Sequence, residues 1–591
     1  MYRAPLRELR FVLEELLGIG TLSAYPAYAD YSDELGTSIL EEAGRFAADV
    51  LAPLNHTGDV EGAHWSAEGV RSPAGFKDAY RRFAEGGWPQ LGADSRFGGQ
   101  RVPQALSSAV QEILASANLS FNLCPMLTHG AAHALARCGS ETQQRLFLPK
   151  MISGEWSGTM VLTEPSAGSD LGQIRTRAAR EGDHYRLFGQ KIFITWGEHD
   201  FTDNILHMVL ARIDGAPAGT RGISMFIVPK VLVAPDGSLT ERNQVRCVSI
   251  EHKLGIHASP TCVMEFGHDL GAVGYLVGEP NHGLEYMFVM MNTARLAVGV
   301  EGYAVGERAF QQAAEYARTR LQGKPPAARA PGPAPIVEHP DVRRMLLTMK
   351  SCTEASRALS FYAGTQLDLG EHHPDAKART AALERGELLI PIVKGWCTET
   401  GNDTAAIGIQ VHGGMGFVEE TGAAQYLRDV RITTIYEGTT GIQSNDLIGR
   451  KLGRDQGAAM RALVTDMRRE LQALETPAAA GQVRDAALQA VERLERATHA
   501  LLTGMAENPA HGFAVSVPYL KLCGLVVGGW LLAKSAAIAA RGLRGEDRTF
   551  YHAKIRTAHF YATHVLPAAA GLAQVVEAGA SSVLETDAEC I

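Results

Sequence analysis

The 591-residue chain contains no Cys-x-x-Cys pair. Its eight cysteines (Cys124, Cys138, Cys247, Cys262, Cys352, Cys397, Cys523 and Cys590) are spaced for neither a zinc site nor a disulfide framework. Free thiols in a reducing cytoplasm are the expectation. His129, His199, His257 and His412 show no metal-ligand spacing, so no metal site is expected. No Gly-x-Gly-x-x-Gly follows a strand-like run and opens a helix, which argues against a Rossmann dinucleotide domain. The opening MYRAPLRELRFVLEELLG alternates charge with apolar residues and lacks the uninterrupted apolar core of a signal peptide. The most apolar run, 522–533, covers 12 residues between Lys521 and Lys534. A bilayer span needs roughly 20. A buried helix is therefore expected there, and no transmembrane segment. Net charge is −9 with a pI near 6.1, a poor balance for binding nucleic acid or an anionic membrane. No short internal repeat is evident.

What is present is a soluble globular composition, 46% apolar and 20% charged. The length suggests three or four structural units. Residues 1 to about 150 repeat apolar side chains at helical spacing, broken at GGWPQLGADSRFGGQ (86–100). From about 155 to 270, HYRLFGQKIFIT, HMVLARI and GISMFIVPK are short β-branched and aromatic runs separated by Gly, Asp and Pro, which predicts an antiparallel β domain. A hairpin is expected in REGDHYRLFGQKIFIT with its turn near residues 181–183. Helical texture returns at about 280, is interrupted by the Pro-rich stretch 323–335, an expected extended surface loop, and resumes to about 452. In the last region Val483, Ala487, Leu488, Val491, Leu494 and Leu501 share one helical face. The expected fold class is multidomain α+β. It has an N-terminal helical extension (1–38), an N-terminal α domain (39–155), a middle β domain (156–272), a C-terminal α-bundle (280–455) and an extra helical domain (457–591).

Four motifs stand out. MVLTEPSAGSD (160–170) places Pro165, Ala167 and Gly168 in a small-residue turn after an apolar strand, with Thr163 and Ser169 as hydroxyl donors. KIFITWG (191–197) sets Phe193 and Thr195 on one strand face at period two. IQVHGGMGF (409–417) is a Gly-rich loop headed by Gln410 that suits a pyrophosphate. RDVRITTIYEGTTGIQSNDLIGRKL (428–452) puts Glu437 between Tyr436 and Gly438 at a helix break beside Thr439 and Thr440. Each alone also describes an ordinary turn, core strand or solvated carboxylate.

Together, in this order and on an α–β–α layout, the four resemble the fingerprints of the acyl-CoA dehydrogenase family. The resemblance spans roughly residues 40–455. Both extensions, with EGGWPQLGADSRFGGQ, GEHDFTDNILHMVLARI, PDVRRMLLTMK and VMMNTARLAVGV, are similar to the long bacterial branch that contains 3-methylthiopropionyl-CoA dehydrogenases.

That resemblance implies FAD as cofactor and α,β-dehydrogenation of an acyl-CoA thioester to the trans-2-enoyl-CoA. It assigns Met160, Leu162, Thr163 and Ser169 to the flavin, with Phe193, Ile194 and Thr195 on its ring and Thr439 beside the base. Arg320 and the Gln410–Gly413–Gly414 loop fall at positions that reach FAD in a neighbouring subunit, which implies a homodimer. Ser169, Asn292, Arg295 and Gly438 match substrate-side positions. Asn292 stands where an aspartate is common. Gly441 and Pro340 each replace a Gln and remove a potential polar contact to FAD. The resemblance makes Glu437 the base; the alternative family position, one residue before Arg295, is Ala294, which accepts no proton. The Glu437 amide is implied as a donor to the thioester oxygen, and electron-transferring flavoprotein as the electron acceptor. The substrate stays open between 3-methylthiopropionyl-CoA and short- or medium-chain acyl-CoAs. An acyl-CoA oxidase and a DNA-binding flavoprotein of the same fold are the alternatives.

Overall fold

The computed structural model describes residues 2–326, 332–475 and 478–590. The chain forms two units, one of residues 43–102 and 117–294, the other of 2–42, 103–116 and 295–591.

In the first unit, helices Leu119–Cys138 and Glu141–Ile152 lead into an eight-stranded sheet. Asn118 caps the first of these helices. Ser140 caps the second through a capping box with Gln143, which satisfies two amides that a helix start leaves orphaned. The strands are β1 (Trp156–Val161), β2 (Arg177–Glu181), β3 (His184–Thr195), β4 (Asn204–Ile213), β5 (Ile223–Pro229), β6 (Val245–Ile250), β7 (Thr261–Phe266) and β8 (Ala272–Val277). Their order is β6-β7-β3-β8-β5-β4-β1, with β2 beside β3 and β4. The expected hairpin is β2–β3: Glu181 faces His184 across Gly182–Asp183, and Gly182 takes φ +60. Alternating residues Leu187, Val209, Phe226, Val228, Met264 and Phe266 bury one apolar core.

Two expectations change in this unit. The sheet is mixed, because β1 runs parallel to β4 from Trp156↔Asn204 to Val161↔Val209, and β2 touches β4 in parallel. β1 enters from a helix and leaves through a long loop, so no hairpin forces it antiparallel. The expected all-helical region also contains a two-strand hairpin, His64–Ser66 with Gly69–Arg71, anchored by the Trp65 indole donating to the Cys247 carbonyl at 2.9 Å.

The second unit is helical. Its main helices are Pro340–His372, Ala376–Ile392 running through a π turn (Val393–Cys397) into Thr398–His412, then Ala458–Ala473, Ala478–Glu507, Ser516–Gly542 and Arg548–Phe560. Val483, Ala487, Val491, Leu494 and Leu501 are buried as the periodicity predicted, and Leu488 is half-buried. The apolar run extends further than its sequence core: Ser516–Gly542 has 27 residues, enough by length and composition to cross a membrane. Its most apolar 18-residue stretch is 89% buried, so its apolar surface is already satisfied by protein. Buried ions tie distant segments together. Arg357 binds Glu112 (2.6 Å) and Glu307 (3.0 Å), while Lys554 bridges Glu8 (2.8 Å) and Glu354 (2.6 Å). Within the Pro-rich stretch, 327–331 lie outside the described residues. On either side, Leu321 and Pro335 form an antiparallel bridge that narrows the expected loop. All eight cysteines are free.

Candidate active site

In the first unit, the loop after β1 closes on itself through Glu164 N to Ala167 O (3.1 Å) and the reciprocal bond (3.0 Å). The buried Glu164 carboxylate accepts from Arg175 N (2.6 Å), Thr176 N (3.0 Å) and Thr176 Oγ1 (2.6 Å), and pairs with Lys191 Nζ at 2.9 Å. Burial raises the Glu164 pKa, but Lys191 and these donors outweigh it and hold the group below its ordinary value. Burial also lowers Lys191 to about 8 against the pull of Glu164. Lys191 Nζ donates to the Leu162 carbonyl (2.8 Å), and Ile192 N to that of Thr163 (2.9 Å). The loop is thereby fastened to β3.

Opposite this loop β3 carries a bulge. Lys191 faces Met264 and Ile194 faces Cys262, so three steps on one strand match two on the other. The extra residue brings Phe193 to φ +58 and leaves it 58% exposed. A non-glycine residue in that region is strained by about 1–3 kcal/mol, a cost that clusters at ligand sites. Met160, Leu162, Thr163, Phe193 and Thr195 are brought together here; Ser169 lies on the exposed arm of the loop. Ile194 is placed differently from its neighbours. Its side chain is 1% exposed and packs in the sheet core. Asn292 is half-buried on the helix Gly283–Thr319.

In the second unit, Glu437 and Gly438 form a left-handed pair at φ +55 and +92, just before the short helix Thr440–Asn445, which Thr439 caps. Gly438 suits that conformation; Glu437 does not, and three hydrogen bonds from two side chains hold the pair. Gln443 Nε2 reaches the carbonyls of Glu437 (3.1 Å) and Gly438 (3.4 Å), and Lys394 Nζ that of Gly438 (2.5 Å). Tyr436 is fixed by its hydroxyl on Glu301, and Thr440 Oγ1 by Glu399 at 2.7 Å. Burial pushes the Glu437 carboxyl up to about 7, with Arg295 and Lys394 opposing the rise. A carboxylate near 7 is poised to take a proton from a weak carbon acid.

Arg295 is buried and its Nη1 meets Asp446 Oδ2 at 2.9 Å, so it acts on Glu437 as a fixed charge. At another place in this unit, Gln410, Gly413 and Gly414 are exposed at the end of Thr398–His412. Gly413 has φ +61, and a Cβ at Gly413 or Gly414 would meet nothing within 4 Å. Met415, Phe417 and Val418 beside them are exposed, Phe417 by 87%. Tyr316 packs on His412 at 4.5 Å between ring centres, and Arg320 lies one turn beyond it, exposed. Among the described residues no three His, Cys, Asp or Glu converge as a metal site.

Lys394, Gln443, Asp446, Glu164 and Lys191 were not singled out by sequence. Lys394 had a signal: it is the only charged residue in LLIPIVKGWC (388–397).

Four family descriptions match in chain order: the acyl-CoA dehydrogenase N-terminal domain over 34–155, middle domain over 159–268 and C-terminal domain over 281–453, and an acetyl-CoA dehydrogenase C-terminal-like domain over 459–587. The chain is 46% identical to a 3-methylmercaptopropionyl-CoA dehydrogenase of Ruegeria pomeroyi, covering 96% of each. It is 34% identical to the broad-specificity linear acyl-CoA dehydrogenase FadE5 of Mycobacterium tuberculosis, covering 99% of each. The acyl-CoA dehydrogenase of Bacillus anthracis complexed with FAD shares the fold at a TM-score of 0.74 and 20% identity, over 96% of this chain and 91% of that one. The chain belongs to the acyl-CoA dehydrogenase family, FAD-dependent oxidoreductases acting on CH–CH groups.

Proposed function

We propose that this chain oxidises the Cα–Cβ bond of a short acyl-CoA thioester, with 3-methylthiopropionyl-CoA the first candidate, and that Glu437 is the base. The observation that carries the reading is the Glu437 turn: a carboxyl raised to about 7, held in a strained conformation by Lys394 and Gln443 beside the buried Arg295. The substrate choice is supported by the Ruegeria relative; the Mycobacterium relative, named for broad linear specificity, keeps short and medium chains on the panel.

The residues present suit FAD. An exposed, strained Phe193 beside Thr163 and Thr195 offers an aromatic face with hydroxyl donors for a flat polar ring. Exposed Gly413 and Gly414, whose surroundings leave room for close approach, suit a diphosphate, with Arg320 as its cation. We assign Met160, Leu162, Thr163, Ser169, the Ile194 backbone and Thr439 to the same cofactor. We assign the Arg320 and Gln410–Gly414 contacts to a second copy's FAD, in a homodimer. What FAD supplies when bound is a two-electron acceptor for the hydrogen leaving Cβ.

The chain's own part is proton transfer and charge stabilisation. Ionised Glu437 removes the α-proton. Its amide N–H donates to the thioester oxygen, where negative charge accumulates as that proton leaves. We assign Ser169 and Asn292 of the first unit and Gly438 of the second to the CoA ester; Arg295, buried on Asp446, serves through its charge. Electron-transferring flavoprotein is the acceptor that completes the cycle.

The test is anaerobic mixing of the purified yellow protein with a panel of acyl-CoAs, followed at the flavin band near ~450 nm. Rapid bleaching by 3-methylthiopropionyl-CoA ahead of butyryl- and octanoyl-CoA is expected. A fully loaded protein bleached by none of them sinks the reading. Peroxide formed at the rate of turnover under air moves it to an acyl-CoA oxidase.

A further inference from the structure

A lysine in a protein interior is expensive, because its ammonium gives up water. Lys394 has no exposed side-chain surface, sits in the π turn Val393–Cys397, and spends its ammonium on one backbone atom, the Gly438 carbonyl at 2.5 Å. π turns insert one residue into a helix and recur at functional sites. Here the turn lies beside the short helix Thr440–Asn445 that follows the base.

We propose that Lys394 is the positioning residue of the Glu437 turn: its ammonium clamps the left-handed Glu437–Gly438 pair in the conformation that presents the carboxylate, and its charge, together with that of Arg295, favours the ionised form of that carboxylate. The inference rests on Glu437 being the base. Two structural facts carry it. First, the pair is strained at Glu437 and must be held from outside; Lys394 and Gln443 supply the donors from two different elements. Second, Lys394 and Glu437 act on each other electrostatically. Burial lowers Lys394 to about 7, while Glu437 is the leading charge opposing that fall; Arg295 lowers it further, and Glu399 and Glu301 raise it.

The other charges around this turn have partners of their own. Glu301, on the long helix, holds the Tyr436 hydroxyl. Glu399, one turn after Lys394, holds Thr440 and pairs with Lys521 of Ser516–Gly542 at 3.4 Å. Asp446 joins Arg295 and Arg450. From helix Pro340–His372, the Ser356 carbonyl and the Ser360 hydroxyl meet Cys397 of the π turn. Lys394 is therefore a cation bonded directly to the carbonyl of the residue after the base.

The test uses the full-length, flavin-loaded protein carrying Lys394→Gln or Lys394→Met, with Glu437→Gln alongside. Glutamine keeps a donor for the Gly438 carbonyl but no charge; methionine keeps neither. Each variant is read for flavin content, thermal midpoint and the pH profile of kcat/KM. The acidic limb should move up by about one pH unit or more in both Lys394 variants, because an opposite charge close by favours the ionised carboxylate. Above that limb Lys394→Gln should come within a few-fold of wild type, while Lys394→Met should fall by roughly tenfold or more through misplacement of the base. A wild-type limb in Lys394→Gln overturns the proposal, even if Lys394→Met fails to fold. An active Glu437→Gln overturns the base assignment instead. An inactive Glu437→Gln with unmoved Lys394 profiles overturns only the role of the lysine.

Discussion

Arg295 Nη1 and Asp446 Oδ2 meet at 2.9 Å with both side chains almost completely buried, and Asp446 also takes Arg450 Nε at 2.7 Å on its other oxygen. One carboxylate thus orients the guanidinium whose charge acts on Glu437. Removing a partner from a buried pair typically costs 3–5 kcal/mol. Asp446→Asn, which keeps an acceptor, should lower stability by roughly 3 kcal/mol. Urea midpoints at unchanged m-value would show it, and a midpoint equal to wild type would mean that Asp446 is dispensable to the arrangement.

Glu437→Gln should retain bound flavin and lose about 10²–10⁴ in turnover, the usual range for a lost general base. In wild type, kcat/KM should rise with pH and level off above about 7, since the raised carboxyl acts as a base only when ionised. The same group opposes folding as pH increases. Its folded pKa lies above the ordinary carboxyl value of 4.5, so its stability contribution is fully present below that value and lost as pH rises through 7. Glu437→Gln should therefore flatten the fall in stability between about pH 4.5 and 7, which denaturant midpoints at pH 5 and 8 would register.

Phe193→Gly should separate stability from function. Glycine adopts φ +58 without a steric penalty, although the unfolded chain gains freedom, so the flavin-free protein should keep its stability to within about 1 kcal/mol. Flavin affinity should fall by tenfold or more with the loss of the exposed ring. Titration of the flavin-free protein with FAD measures this; unchanged affinity would remove Phe193 from the cofactor site.

Glu164→Gln leaves Lys191 buried without its charge partner, beneath the Leu162–Thr163 segment. A loss of stability of about 3 kcal/mol and loose flavin binding are expected together. Co-purification of full flavin with a wild-type thermal midpoint would show that the pair does not hold the loop.

Much of the fold was legible because its signals are local. Period-two runs such as HYRLFGQKIFIT became β3, and the 3.6-residue repeat around Val483–Leu494 became a buried helical face. Strand partners were less legible: nothing within β1 announces a parallel neighbour, because that pairing depends on where the intervening loop and hairpin carry the chain. The bulge that exposes Phe193 follows from pairing with β7, whereas alternation alone had put Phe193 and Thr195 on one face of a regular strand.

The same division runs through the candidate site. The sequence by itself determined the helix break at Glu437, the Gly-rich turns and the family pattern, since neighbouring residues control backbone propensity, turn chemistry and motif order. Tertiary structure alone decided what surrounds Glu437: Lys394 reaches Gly438 across 44 positions, Arg295 reaches Asp446 across 151, and burial moves the carboxyl up to about 7. Charge interactions and desolvation depend on distance in space, which the order of residues along the chain does not specify.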